Sequence, residues 1–199
     1  ACSSSLVALS TACDNLVSGN CNVALAGGVG IMATPAMHIM TAQAGMLSQD
    51  GKCHTFDQNA NGFVPGEAVG VVMLKRLEDA ERDNDRIYGV VQGWGVNQDG
   101  KTNGITAPNA TSQASLEAEV YEKFNIDPAQ IQLIEAHGTG TKLGDPIEVD
   151  ALKQSFKKYT ENETFCALGS VKSNIGHTMW AAGISGFLKV ILSLQHQQL

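Results

Sequence analysis

Apolar positions follow two rhythms along the chain. Cys2, Leu6, Leu9, Cys13 and Leu16 fall at helical spacing, which predicts a helix over residues 2–18 that stops at Gly19-Asn20. Residues 22–31 form an apolar run closed by Gly27-Gly28-Val29-Gly30, read as a buried strand whose glycines serve close packing. No G-x-G-x-x-G opens the next helix, so the run is not a dinucleotide fingerprint. Thr34-Pro35 opens a helix to about Gly45, and the methionines at 32, 37, 40 and 46 read as core filler. A long polar loop over 47–66 precedes strands at 67–77 and 86–96, whose short charged connection suits antiparallel pairing. A second polar loop over 97–109 leads to a helix at 112–124 capped by Thr111, then to a helical turn at Asp127-Pro128. Strand 131–135, helix 146–159, strand 165–168 and helix 179–196 complete the chain. Helix, strand, glycine loop and helix thus recur three times, which predicts one layered α/β domain over residues 1–199 with no internal linker.

Composition narrows the function classes. The 199 residues carry a net charge of −7, with both signs mixed and no basic stripe, which argues against nucleic-acid binding. The apolar stretches near 23–33 and 179–194 are too short, or carry Lys189 in mid-run, for a membrane span. Cysteines at 2, 13, 21, 53 and 166 form no C-x-x-C pair and read as reduced intracellular thiols, with Cys13 and Cys21 in the core. The spacing Asp57-x-Asn59-x-Asn61-Gly62 opens like a calcium loop, but Ala68 stands at the twelfth position, so no metal is expected. The abrupt ends point to a piece of a longer chain.

The chemistry gathers at three places. His137 leaves the end of a predicted strand into Ala136-His137-Gly138-Thr139-Gly140-Thr141, where ligands commonly bind in open α/β sheets. Asp145 reads as the N-cap of the next helix, with Pro146 in its first turn and Glu148 completing a capping box. His177 ends a second glycine-bearing loop, Lys172-Ser173-Asn174-Ile175-Gly176-His177. Cys2 opens the first helix, where free N–H groups favour a thiolate; a buried core cysteine is the alternative reading. A thiolate with two imidazoles suits acyl transfer, the thiolate attacking a thioester and a neutral imidazole serving developing negative charge.

Four ordered stretches, Ala1-Cys2-Ser3-Ser4-Ser5, the His137 motif with Glu135, Gly144-Asp145-Pro146-Ile147-Glu148, and Lys172 to His177, closely resemble the ketosynthase (β-ketoacyl synthase) domains of type I modular polyketide synthases. The resemblance spans essentially the whole chain. It implies a thiolase-like layered α/β/α fold, here incomplete, with N-terminal and C-terminal strands missing. It implies that Cys2 receives the growing acyl chain and that His137 and His177 polarise the carbonyl of a malonyl-type extender. Lys172 would order the site near His137, or else be an ordinary surface lysine. Glu148 would join a polar network with Lys172, and Thr139 and Thr141 would grip the phosphopantetheine arm. The implied partners are acyl carrier protein domains, an acyltransferase in cis or in trans, and a second copy of the chain in a cytoplasmic homodimer. No cofactor is implied beyond the carrier's phosphopantetheine.

Pro65 stands where many members of that family carry arginine, and Ala68 where many carry glycine; both lie away from the motifs, so little effect is expected. A degradative thiolase would need a second catalytic cysteine, for which no suitable motif is present. A fatty-acid ketosynthase would use the same three residues, and a non-condensing ketosynthase would act as a chain-handover scaffold. The 199 residues alone are expected to be inactive and poorly folded, because apolar sheet edges would be left bare.

Overall fold

A computed structural model describes residues 1–104 and 107–198. The polar loop expected over 97–109 therefore lies partly outside the described residues. Helix α1 (Ser4–Val17) runs into strand β1 (Val23–Gly30), followed by α2 (Ala36–Gln43). The loop at 47–66 leads to β2 (Ala68–Lys75) and a short helix α3 (Leu77–Arg82). Helix α4 (Ala110–Lys123), β3 (Leu133–Glu135), α5 (Gly144–Phe156) and β4 (Ala167–Gly169) form the second half. A four-residue helix α6 (Lys172–Ile175) and the long α7 (Ala182–His196) close the chain, joined by a 3-10 turn at Met179–Ala181.

β1 and β2 pair antiparallel, from Val23 opposite Lys75 to Gly30 opposite Ala68. β3 and β4 pair parallel, Glu135 opposite Gly169, with α5 as the crossover between them. Small residues at alternate positions of β1 (Ala24, Ala26, Gly28 and Gly30) face α1 and the turn before α7. A Cβ on Gly28 would sit 2.7 Å from Ser5 Cβ, and one on Gly30 would sit 2.5 Å from the Thr178 carbonyl oxygen. The glycine run is thus a packing surface, as its sequence predicts. Leu9, Ala12, Cys13 and Ala26 form the core there, with Val72, Leu74, Val91, Trp94 and Phe187 against them.

Four expectations change. β1 is not buried on both faces: Val23, Leu25 and Val29, with Val69, Val71 and Met73 across the ladder, remain exposed among the described residues. The strand predicted at 86–96 is irregular chain instead. Its glycines let it run against other elements, Gly89 against α7 and Gly93 and Gly95 against the α4 side, but no described strand lies alongside to complete a ladder. The cap of α4 is Asn109, whose side-chain oxygen accepts from the N–H groups of Thr111 and Ser112. Cys21 is half-buried rather than core, whereas Cys13 is buried as expected.

Candidate active site

β3 delivers His137 by ending at Glu135. From there the chain turns through Gly138 and Gly140, whose φ angles of +39° and +76° lie where side chains with a Cβ are strained. Two carboxylates of α5 hold this loop. Glu148 accepts from the backbone N–H groups of His137 (2.6 Å) and Gly138 (2.8 Å). Asp145 is buried and accepts from Gly140 N–H (3.1 Å), Thr141 N–H (3.4 Å) and, across the chain, Phe56 N–H (2.7 Å). Neither forms the predicted capping box. α5 begins at Gly144, so Asp145 already lies inside its first turn, and the loop N–H groups take both carboxylates. Thr141 Oγ1 accepts from Gly144 N–H (3.1 Å) and lies 3.1 Å from Thr139 Oγ1.

β4 delivers the second half. Beyond Gly169, Ser170 Oγ donates to the Gly138 carbonyl (3.1 Å), which joins the two loops. Lys172 is only 4 % exposed, which rules out an ordinary surface lysine. Burial lowers its pKa below the usual lysine value, while Glu148, then Glu135, Cys2 and Cys53, favour its charge. Burial also raises the Glu148 carboxyl, against the two N–H groups it accepts from.

His177 is 2 % exposed and sits between two strand-like contacts. Its N–H donates to the Val64 carbonyl (2.7 Å) and its carbonyl accepts from Gly66 N–H (2.9 Å). This overturns the remoteness expected of Pro65, which pairs directly with His177. Those bonds use residues 64 and 66, so a proline between them forfeits no ladder bond. Phe63 meets the His177 ring edge-on at 5.2 Å. Met179, held at φ +49°, donates its N–H to His177 Nδ1 (3.3 Å). A neutral ring accepting at Nδ1 carries its proton on Nε2, so Nε2 is a hydrogen-bond donor.

The two imidazoles lie perpendicular with ring centroids 5.3 Å apart. Burial, then His137 and Lys172, lowers the His177 pKa to about 3. Crowding by protein, then Lys172, lowers that of His137 to about 4. His137 also presents an edge to solvent, and the downward direction of its shift makes it neutral at pH 7.

Cys2 stands in the turn before α1, half-buried, one residue ahead of the N-cap Ser3. The first turn of α1 is fixed to α7 by Ser5 Oγ, which accepts from Ile184 N–H (3.0 Å). One ammonium links the groups: Lys172 acts on both imidazoles, and Cys2 and Glu148 act on Lys172. Sequence reasoning missed Ser170, Pro65 and the clasping role of Asp145. Each acts through backbone atoms of a distant segment, which no local pattern records. Among the described residues no His/Cys/Asp/Glu cluster suits a metal ion, and no helix is long and apolar enough to cross a membrane.

The family models "Beta-ketoacyl synthase, N-terminal domain" and "Beta-ketoacyl synthase, C-terminal domain" match residues 1–80 and 88–199. The chain is 55 % identical over its whole length to polyketide synthase PksL of Bacillus subtilis, of which it spans 4 %. It is 48 % identical to polyketide synthase ThaG of Burkholderia thailandensis, over 98 % of this chain and 4 % of that protein. Among solved structures, the ketosynthase from module 6 of the bacillaene synthase of Bacillus subtilis 168 superposes with a TM-score of 0.97. That likeness is at 55 % identity and covers 98 % of this chain and 35 % of the other. An oxazolomycin ketosynthase domain of Streptomyces albus JA3453 gives 0.96 at 43 % identity, covering all of this chain and 34 % of that one. The layered fold is therefore that of ketosynthase domains, of which the chain spans about a third.

Proposed function

Because the chain belongs to the beta-ketoacyl synthase family, we propose that residues 1–199 form part of a ketosynthase domain that extends polyketide chains by decarboxylative Claisen condensation. The observation that carries this reading is the pair of neutral imidazoles, with the His177 tautomer fixed by Met179 N–H so that Nε2–H is free to donate.

Cys2 Sγ attacks the thioester of an acyl chain on a carrier protein, the carrier thiol leaves, and acyl-Cys2 forms. A malonyl-type thioester on a second carrier then enters. Loss of carbon dioxide leaves the electron pair as an enolate, whose oxygen receives hydrogen bonds from His177 Nε2–H and His137. The enolate carbon attacks the acyl-Cys2 carbonyl, with Cys2 N–H supplying part of the oxyanion hole, and the Cys2 thiolate departs. Neutral donors in a dehydrated site suit this step, since an imidazolium would protonate the enolate carbon before it reacts. Lys172 supplies fixed positive charge near His137, and Glu148 holds the His137 loop. Thr139, the freer of the two threonines, contacts the phosphopantetheine arm with Thr141 behind it.

Carrier domains and an acyltransferase, in the same chain or supplied separately, are the partners this reading requires. A cytoplasmic homodimer is its setting. The experiment is His137→Ala in the full-length ketosynthase protein containing this chain. Condensation is expected to fall by about a hundredfold or more, while acylation of Cys2 survives. Persistent chain extension would overturn the assignment in favour of chain handover.

A further inference from the structure

Glu135 ends β3 two residues before His137, with its side chain 7 % exposed. One carboxylate oxygen accepts from Val171 N–H (2.6 Å), and the other pairs with Lys189 Nζ of α7 (2.6 Å). Val171 is the residue from which α6 and Lys172 begin. The backbone beside it is tied in as well, since Ala136 N–H donates to the Gly169 carbonyl (2.8 Å). α7 makes room for the carboxylate one turn before Lys189: a Cβ on Gly186 would lie 3.0 Å from Glu135 Cγ and 3.5 Å from Oε1. One carboxylate therefore touches the strand that delivers His137, the turn that delivers Lys172, and the helix behind both.

We propose that Glu135 and Lys189 are a positioning pair for condensation, holding the His137 strand end and the Lys172 turn in register through Val171. The inference rests on the ketosynthase reading above. Lys189 keeps the enclosed carboxylate paired and aimed, because a carboxylate left without a partner in that place would turn toward water. The pair touches no reacting atom, so its action is confined to where Lys172 and His137 stand and how much negative charge Lys172 feels. Lys172 is faced by Glu148 of α5, Glu135 of β3, Cys2 ahead of α1 and Cys53 of the 47–66 loop, with His137 and His177 beside it.

The test uses the full-length ketosynthase protein containing this chain, an acyl-N-acetylcysteamine thioester as acyl donor, and malonyl-loaded acyl carrier protein. Glu135→Gln keeps an acceptor for Val171 N–H but removes the charge. It is expected to leave Cys2 acylation within about threefold and KM for the malonyl carrier nearly unchanged, while kcat for condensation falls by tens of fold, on the scale of a small misplacement of reacting groups. Its basic pH limb should move to lower pH, since Lys172 loses a neighbouring negative charge. Lys189→Arg should retain most of kcat and Lys189→Met should not. Gly186→Ala, which crowds the carboxylate and leaves every charge in place, should lower kcat with Cys2 still acylated. Wild-type kcat and an unmoved limb in Glu135→Gln would overturn the proposal. So would acylation and condensation falling together in both Glu135→Gln and Gly186→Ala, which is the mark of a merely structural contact. If the unsubstituted protein failed to condense, the function itself would fall and this pair with it.

Discussion

The imidazoles of His137 and His177 owe their chemistry to a shared environment. Each ring is crowded by protein and faces Lys172, so the neutral form persists well below the ordinary histidine value of 6.5. The condensation rate should therefore show no acid limb near pH 6.5; a limb there in the full-length protein would mean that one imidazole works in solvent. The same shifts act on stability. Both folded values lie below 6.5, that of His177 at about 3, so below 6.5 the unfolded chain binds more protons and stability falls as pH drops. Glu148 works in the opposite sense, because its folded pKa lies above 4.5 and its contribution is lost as pH rises through that value. Urea midpoints measured from pH 7 to pH 4 should fall, and His177→Gln should flatten the slope. An unchanged slope would place the titrating groups elsewhere.

Helix α5 acts on the site mainly through its first turn. Asp145 satisfies three N–H groups from two separate loops, so Asp145→Ala leaves them buried without an acceptor. At 1–3 kcal/mol for each such group, a loss of about 3 kcal/mol or more is expected, or about 2–3 °C in Tm for a ketosynthase domain of which this chain spans about a third. Differential scanning calorimetry on the full-length protein checks it, and an unchanged midpoint would show the loop held by other means. On the other side of the site, Gly30→Ala places a Cβ 2.5 Å from the Thr178 carbonyl, next to His177. Overpacking there should cost about 1–3 kcal/mol, with condensation falling further than the melting change alone accounts for.

As a whole, the molecule packs its helices on one face of the β1–β2 sheet and leaves the other face apolar. Leu25, Val71 and Met73 are 73 %, 60 % and 69 % exposed and lie close together on that face. A patch of this kind, on a two-stranded sheet, favours association over a stable monomer. The 199 residues expressed alone should aggregate, show no cooperative melt and fail to acylate Cys2. Leu25→Lys with Met73→Lys should raise their solubility. A cooperative transition with acyl label on Cys2 alone would refute this, and size-exclusion chromatography, calorimetry and mass spectrometry read the three outcomes.

What the sequence determined by itself was local. Helical spacing located α1, and the bounds expected for α5 and α7 fall within a few residues of those found. Strand ends followed by glycines identified the loops of His137 and His177. Small residues in β1 announced close packing, which the approach of Gly28 to Ser5 bears out. The ordered motifs also carried the family, since they are linear strings. Tertiary structure alone decided the rest. Asp145 and Glu148 look like a helix cap in sequence, because capping is a local rule, but loop N–H groups brought close by folding compete for the same carboxylates. Residues 86–96 have the composition of a strand, yet a strand exists only with a partner for its ladder. Pro65 reads as remote from His177 because 112 positions separate them, and only a backbone pairing makes them neighbours. Glu135, written into the His137 motif, gains its place beside Lys189 and Val171 only when β3, β4 and α7 meet.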